Sequence, residues 1–249
     1  MAVKAVSTAE RTADQPLYRY EGIYEPSEAA GYLLAGMPLH LQQRRRPTPR
    51  RVHGWIREGL VAFDQRHVPW QDRVIDFEDI ISCQVITLLQ QESKGSLARV
   101  RAAERLFAER LRTPKPFAHY DFWDLETDIL GAFGDYFAIA GIGEGWWKGF
   151  FFKGMTLLSE HIRFNKRTGR PEEWEPVPGI TLVPGVQFGQ PCLKDTRIPT
   201  GALWSYIAGG DTPTFVAEGY GIKVADVERA FEWEQRIRVA IAEVTGISP

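Results

Sequence analysis

From Tyr24 to Leu111 the apolar residues recur at helical spacing, interrupted by proline and glycine. Pro26 suits the first position of a helix, and Ala29, Ala30, Leu33 and Leu34 give that helix an apolar face. Thr48 stands where an N-cap belongs, with Pro49 at the first helical position. Val52, Trp55 and Ile56 then fall at i, i+3 and i+4, and Gly59 closes the segment. After a loop containing His67, Pro69 and Trp70, Asp76 can cap a third helix striped by Phe77, Ile80, Ile81, Val85, Leu88 and Leu89. Ser96 can cap a fourth, carrying Leu97, Val100, Phe107 and Leu111.

Between residues 113 and 180 this rhythm stops. TPKP ends the helix, and PFAHYDFWDL, TDILGAF and GDYFAIAG read as short strands divided by glycines. Residues 148–160 predict a helix, and HIRFNKRTGRPEEWEP predicts a hairpin turning near Thr168 and Gly169. The aromatic run WWKGFFF, residues 146–152, is too short to span a membrane and reads as a core element or an exposed partner patch. Helical spacing returns at Pro199. One helix carries Leu203, Trp204 and Ile207 and ends at Gly209 and Gly210; Thr212 and Pro213 open a second with Phe215, Val216 and Tyr220. The last starts near Lys223 and aligns Val224, Val227, Phe231, Ile237, Ile241 and Val244. That stripe outruns what a three-helix unit needs, so Phe231, Ile237, Ile241 and Val244 are the candidate dimer interface.

The pattern predicts an α+β chain in four parts: a flexible tail over 1–18, a helical head over 19–112, a small β-rich middle region over 113–180 and a three-helix, helix-turn-helix-like unit over 181–249. With 44% hydrophobic and 12% aromatic residues the chain has material for packed cores. Its two cysteines, Cys83 and Cys192, lack metal-ligand spacing, and no apolar run reaches the ~18 residues that cross a bilayer, so a reduced, cytoplasmic chain is expected. The net charge of −2 gives no general affinity for nucleic acid.

Any such affinity must be local, and RRRPTPRRVHGWIREGL, residues 44–60, supplies six arginines. With Val52, Trp55 and Ile56 turned inward, Arg50, Arg51, His53, Gly54 and Arg57 fall on the opposite side, and Arg44, Arg45 and Arg46 precede the helix. Guanidinium forks suit phosphate oxygens and the guanine edge, and a helix N-terminus adds N–H donors. The candidate DNA-binding residues are therefore Arg44, Arg45, Arg46, Thr48, Arg50, Arg51, His53 and Arg57.

TPRRVHGWIREGL resembles the second helix of the MerR-type winged helix-turn-helix, with IDFEDIISCQVITLL and SLARVRAAERL standing where that fold has its later helices. It departs in LAGMPLHLQQRRRP, longer than the usual three-residue turn. The stretch GVQFGQPCLKDTRIPTGALWSYIAGGDTPTFVAEGYGIKVADVERAFEWE resembles the VapB-like antitoxin domain catalogued as domain of unknown function 433. Gly189-Gln190-Pro191, Thr196 to Pro199, Gly210, Thr212-Pro213, Tyr220 and Val227 to Ala230 fill that family's places in order, while Asp195 stands where it usually has glycine. The whole arrangement resembles the long VapB-type antitoxins encoded beside a PIN-domain ribonuclease.

The resemblance implies a type II antitoxin that neutralises its PIN-domain toxin and represses its own operon by binding promoter DNA. The expected partners are the toxin, double-stranded DNA and a second copy of the chain, with a larger complex with the toxin as the alternative assembly and no membrane. Arg197 in TRIPT then has two readings: a structural arginine tied to a carboxylate, or a toxin-binding group entering the acidic metal site of the nuclease. The alternative function is a stand-alone MerR-like regulator sensing a small ligand in the aromatic region 117–152. An enzyme is the least favoured class. His40, His53, His67, His119 and His161 show no metal spacing, no phosphate loop or nucleophile elbow appears, and Asp121, Asp124, Glu126 and Asp128 read as a solvated acidic loop. GIGEG, residues 141–145, reads as a turn. No catalytic residue, metal or cofactor is expected.

Overall fold

The computed structural model describes residues 22–42, 45–62, 65–92, 96–124 and 152–246. Among them the chain is α+β, with nine α-helices and two small antiparallel sheets. The predicted tail, the strands TDILGAF and GDYFAIAG, the GIGEG turn and most of WWKGFFF lie outside the described residues.

In the head, β1 (Ile23–Tyr24) pairs with β2 (Ile75–Asp76), and between them run α1 (Pro26–Gly36) and α2 (Pro49–Arg57). Glu25 and Glu28 form a reciprocal capping box on α1. The Thr48 side chain accepts from the Arg51 N–H, and Asp76 Oδ1 accepts from the Asp79 N–H at 2.8 Å to start α3 (Phe77–Glu92). Ser96 caps α4 (Leu97–Leu111) in the same way. From Asp79 to Gln91, α3 is buried on every side, not along one stripe. Its polar groups therefore need partners: Gln90 Oε1 accepts from Trp55 Nε1 at 3.0 Å, the Gln91 amide donates to the Leu41 carbonyl, and the Thr87 hydroxyl donates to the Cys83 carbonyl.

PFAHYDFWDL is not a strand. Pro116–Ala118 form one 3₁₀ turn and Tyr120–Trp123 form α5. Pro116 has no N–H to give a ladder, and the tight turns bury Phe117, Phe122 and Trp123 together, with Phe122 edge-on to Phe107 at 5.0 Å. After α6 (Phe152–Ser159) comes a four-stranded antiparallel sheet of β3 (Ile162–Phe164), β4 (Pro171–Val177), β5 (Ile180–Leu182) and β6 (Cys192–Leu193), in that order. The β3–β4 hairpin turns at Gly169, whose left-handed backbone lies so close to His119 that a Cβ there would overlap the imidazole.

The C-terminal helices are α7 (Thr200–Ala208), α8 (Pro213–Tyr220) and α9 (Val224–Thr245). Thr212 caps α8 as its sequence predicts. The 22 residues of α9 cover α7 and then continue onto α1 of the head. Gly31 permits that approach: a Cβ there would stand 2.9 Å from Ile237 Cγ2 and 3.6 Å from Ile241. Arg236 Nη2 donates to the Ala35 carbonyl at 3.0 Å, supplying a cation to the end of α1. Tyr32 stacks on Trp233, and the Tyr24 hydroxyl donates to the Gly189 carbonyl at 2.9 Å. One core thus runs from Tyr24 and Leu33 through Ile81 and Trp174 to Leu203 and Trp233, crossing the divisions at 112/113 and 180/181 without a break.

Candidate nucleic-acid interface

The helix α2 places its apolar and basic residues on opposite sides. Val52, Trp55 and Ile56 are fully buried, Arg50 and Arg57 are exposed, and Arg45, Arg46, Thr48, Arg51 and His53 are half-buried. Burial of the first three anchors the helix at roughly 1.5–3 kcal/mol per side chain, which leaves the opposite face for contacts that folding does not need. Arg44 lies outside the described residues.

The arginines do not share one environment. Arg51 Nη1 donates to the Arg46 carbonyl at 3.0 Å, closing the approach to α2. Its burial, and then the charge of Arg45, hold the Arg51 guanidinium below its ordinary range. Arg46 Nη1 reaches Glu243 of α9 at 3.0 Å. Arg57 lies 3.7 Å from Glu58, which also meets Arg101 at 3.2 Å. Arg50 pairs with no carboxylate among the described residues. The His53 imidazole meets the Trp70 ring edge-on at 6.3 Å, and its Nδ1 is buried without a hydrogen-bond partner among the described residues.

The α2 face has a neighbour that the periodicity did not mark. Arg73 ties the loop after α2 in place, its Nε donating to the Val68 carbonyl at 2.9 Å and Nη2 to the Arg66 carbonyl at 3.3 Å. Arg66, His67 and Trp70 of this loop are exposed, and Trp70 stands beside His53. The density of His, Trp and Arg in RHVPWQDR was the available signal. A helix start with N–H groups, exposed guanidinium forks and an aromatic loop can bind phosphate and stack on a sugar or base edge.

The C-terminal candidates are scattered over different surroundings. Arg197 is exposed; its backbone carbonyl accepts from Gln187 Nε2 at 2.9 Å, and its guanidinium pairs with no carboxylate among the described residues. Asp195 adopts φ 60°, a left-handed backbone that glycine takes without a Cβ penalty. Ile237 and Ile241 pack on Gly31 of their own chain, Phe231 stacks on Trp204 at 4.7 Å, and Val244 is half-buried. The stripe read as a dimer interface therefore has an intrachain occupant, α1, over its central residues.

Of the acidic quartet, Asp121 is exposed beside His119, Asp124 is half-buried, and Glu126 and Asp128 lie outside the described residues. Among the described residues no group of His, Cys, Asp and Glu could hold a metal ion. Both cysteines are buried free thiols, pushed up by burial, Cys192 to about 11. No described helix is long and apolar enough to cross a membrane.

Residues 180–233 match a family described as DUF433, a protein of unknown function. No curated protein matches the chain. Among solved structures it is similar to RV2018 from Mycobacterium tuberculosis, with a TM-score of 0.59 and 16% identity over 83% of this chain and 95% of that one. At that identity the likeness concerns the fold alone.

Proposed function

We propose that this chain is the antitoxin of a type II toxin–antitoxin pair, binding and silencing a PIN-domain ribonuclease and repressing its own operon at the promoter. The observation that carries the reading is α2: an N-capped helix with a buried Val52, Trp55, Ile56 face and an outward arginine face, on a chain whose net charge is only −2. Such a local patch on a near-neutral protein is the electrostatic footprint of a specific nucleic-acid contact. The order α1, α2, anchored loop, α3, α4 supports a MerR-like winged helix-turn-helix, with a 3₁₀ turn at Leu39–Leu41 inside the long α1–α2 connection.

The resemblance of residues 181–249 to the VapB-like domain supports the toxin half of the reading, and Arg197, exposed and without a carboxylate partner among the described residues, is available to it. The chain acts by occupying surfaces, without chemistry of its own, and a dimer would present two heads to two half-sites. Co-expression with the adjacent reading frame tests both halves. Co-purification of the two proteins, rescue of growth and a shift of the promoter fragment are expected; a chain that neither rescues nor shifts that fragment overturns the reading.

A further inference from the structure

We propose that the groove between α7, α8 and α9 docks a basic amphipathic segment of a partner protein, and, on the antitoxin reading above, that this segment belongs to the RNA-binding face of the ribonuclease. The groove has a volume of about 380 Å³ and is lined by Ile207, Pro213, Val227 and Phe231, with Glu228, Glu232 and Gln235 at its edge. Phe231 is a fixed wall: it stacks on Trp204 with an interplanar angle of 18°, and the Arg238 guanidinium lies over Trp204 at 4.5 Å.

The carboxylates select the occupant. Elsewhere on α9 acidic side chains are satisfied within the chain: Asp226 by Arg229 at 2.6 Å, Glu234 by the Thr200 hydroxyl at 2.6 Å, Glu243 by Arg46 at 3.0 Å. Glu228 and Glu232 stand one turn apart, exposed, with no cation partner among the described residues. Like charges at i, i+4 weaken a helix, so the fold gains nothing from this pair. A segment that sets apolar side chains on the half-exposed Ile207, Pro213 and Phe231 and lysine or arginine beside Glu228 and Glu232 satisfies both features. A nucleic-acid strand would bring phosphates against the same carboxylates. A ribonuclease must carry a basic surface to hold its RNA, and a groove with an acidic edge occupies that surface in competition with the phosphates. The lining residues, apart from Gln235, fall within the matched span 180–233.

The probe is a helical 18-residue peptide with leucines at i, i+4 and i+7 flanked by lysines, titrated against the full chain by fluorescence anisotropy. Its isomer with glutamate in place of lysine is the control. The lysine peptide should bind at least tenfold more tightly, Phe231→Ala should weaken it, and the Glu228→Lys, Glu232→Lys double variant should reverse the preference. Equal binding of the two peptides, or indifference to charge reversal in a variant that melts like the parent, overturns the docking site. The same double variant is then co-expressed with the toxin. Lost co-purification with promoter binding retained supports the toxin as occupant, and retained co-purification overturns that assignment. A parent chain that never co-purifies with the toxin overturns the antitoxin reading instead, and the peptides still decide the groove.

Discussion

Arg46, ahead of α2, and Glu243, in the last turns of α9, form an ion pair at 3.0 Å although they are 197 residues apart in sequence. Arg46 also offers its carbonyl to Arg51, so the entry to the basic helix is fastened to the C-terminal helix through one residue. An arginine engaged by a carboxylate is withheld from a phosphate, so on the proposed function the pair sets α9 in electrostatic competition with DNA.

Glu243→Gln should therefore strengthen binding to promoter DNA. The pair is more than half exposed on the glutamate side, so the fold should lose little, about 0–1 kcal/mol. One extra phosphate contact should steepen the salt dependence by about one. Anisotropy titrations at several potassium chloride concentrations measure this, and an unchanged slope would remove Arg46 from the interface.

Arg50 and Arg51 should behave differently although they are adjacent. Arg50 is exposed, so Arg50→Ala should leave the melting temperature near the parent value while reducing DNA affinity and lowering the salt slope by about one. Arg51 is half-buried and hydrogen-bonded to the Arg46 carbonyl, so Arg51→Ala should also cost about 1 kcal/mol of stability. Thermal melts beside binding curves separate the two, and identical profiles would contradict the division.

The starts of α2, α3, α4 and α8 were legible because capping is local: Thr48, Asp76, Ser96 and Thr212 each serve an N–H three residues on. The basic face of α2 was legible for the same reason, through spacing alone. How the arginines divide their work was not, because Glu243 and the Arg46 carbonyl reach them only in the folded chain. The run around Phe117 and Trp123 reads as strand by its aromatic content, yet tertiary burial sets it in short helical turns. The long stripe of α9 reads in sequence as a dimer seam, whereas Ile237 and Ile241 rest on Gly31 of the same chain, which looks in sequence like any helix-weakening glycine.

Phe188 holds a strained backbone at the surface. It adopts φ 57° while its side chain is 80% exposed, so its ring contributes little packing. Left-handed backbone costs an L-residue roughly 1–2 kcal/mol, and glycine avoids that at the expense of greater chain entropy. Phe188→Gly should raise stability by about 0.5–1 kcal/mol in urea melts, and a destabilised variant would show that the ring is held by contacts the strain argument leaves out.

Glu104 gives stability a pH dependence. Burial first, and then the charge of Asp79, push its carboxyl up to about 7. Near pH 5 to 7 the folded state therefore holds a proton that the unfolded chain, titrating near 4.5, has released. This part of stability is present at low pH and lost as pH rises through 7. Glu104→Gln should remove the loss, so the variant should exceed the parent by on the order of 1 kcal/mol at pH 8 and match it near pH 4.5. Parallel melts across that range decide it; a gap that does not grow with pH would exclude Glu104 as its source.

The contact between Gly31 and Ile237 makes one substitution change sign with its background. In an unobstructed helix, alanine for glycine gains about 1 kcal/mol. At Gly31 the added methyl would meet Ile237 Cγ2 at 2.9 Å, and that atom branches from Cβ, too close to the backbone of α9 to swing clear. The forced shift costs about 1–3 kcal/mol, so Gly31→Ala should destabilise the parent by about 1 kcal/mol. Ile237→Ala alone should cost about 1–2 kcal/mol for a half-buried side chain, but it opens the space the methyl needs. In that background Gly31→Ala should stabilise, giving a coupling near 2 kcal/mol in the double-mutant cycle. Additive effects would mean that α9 does not rest on α1 in solution. Ile237 and Ile241 would then be free for the dimer seam their spacing suggests, and sedimentation of an Ile237→Asp variant would show that second arrangement directly.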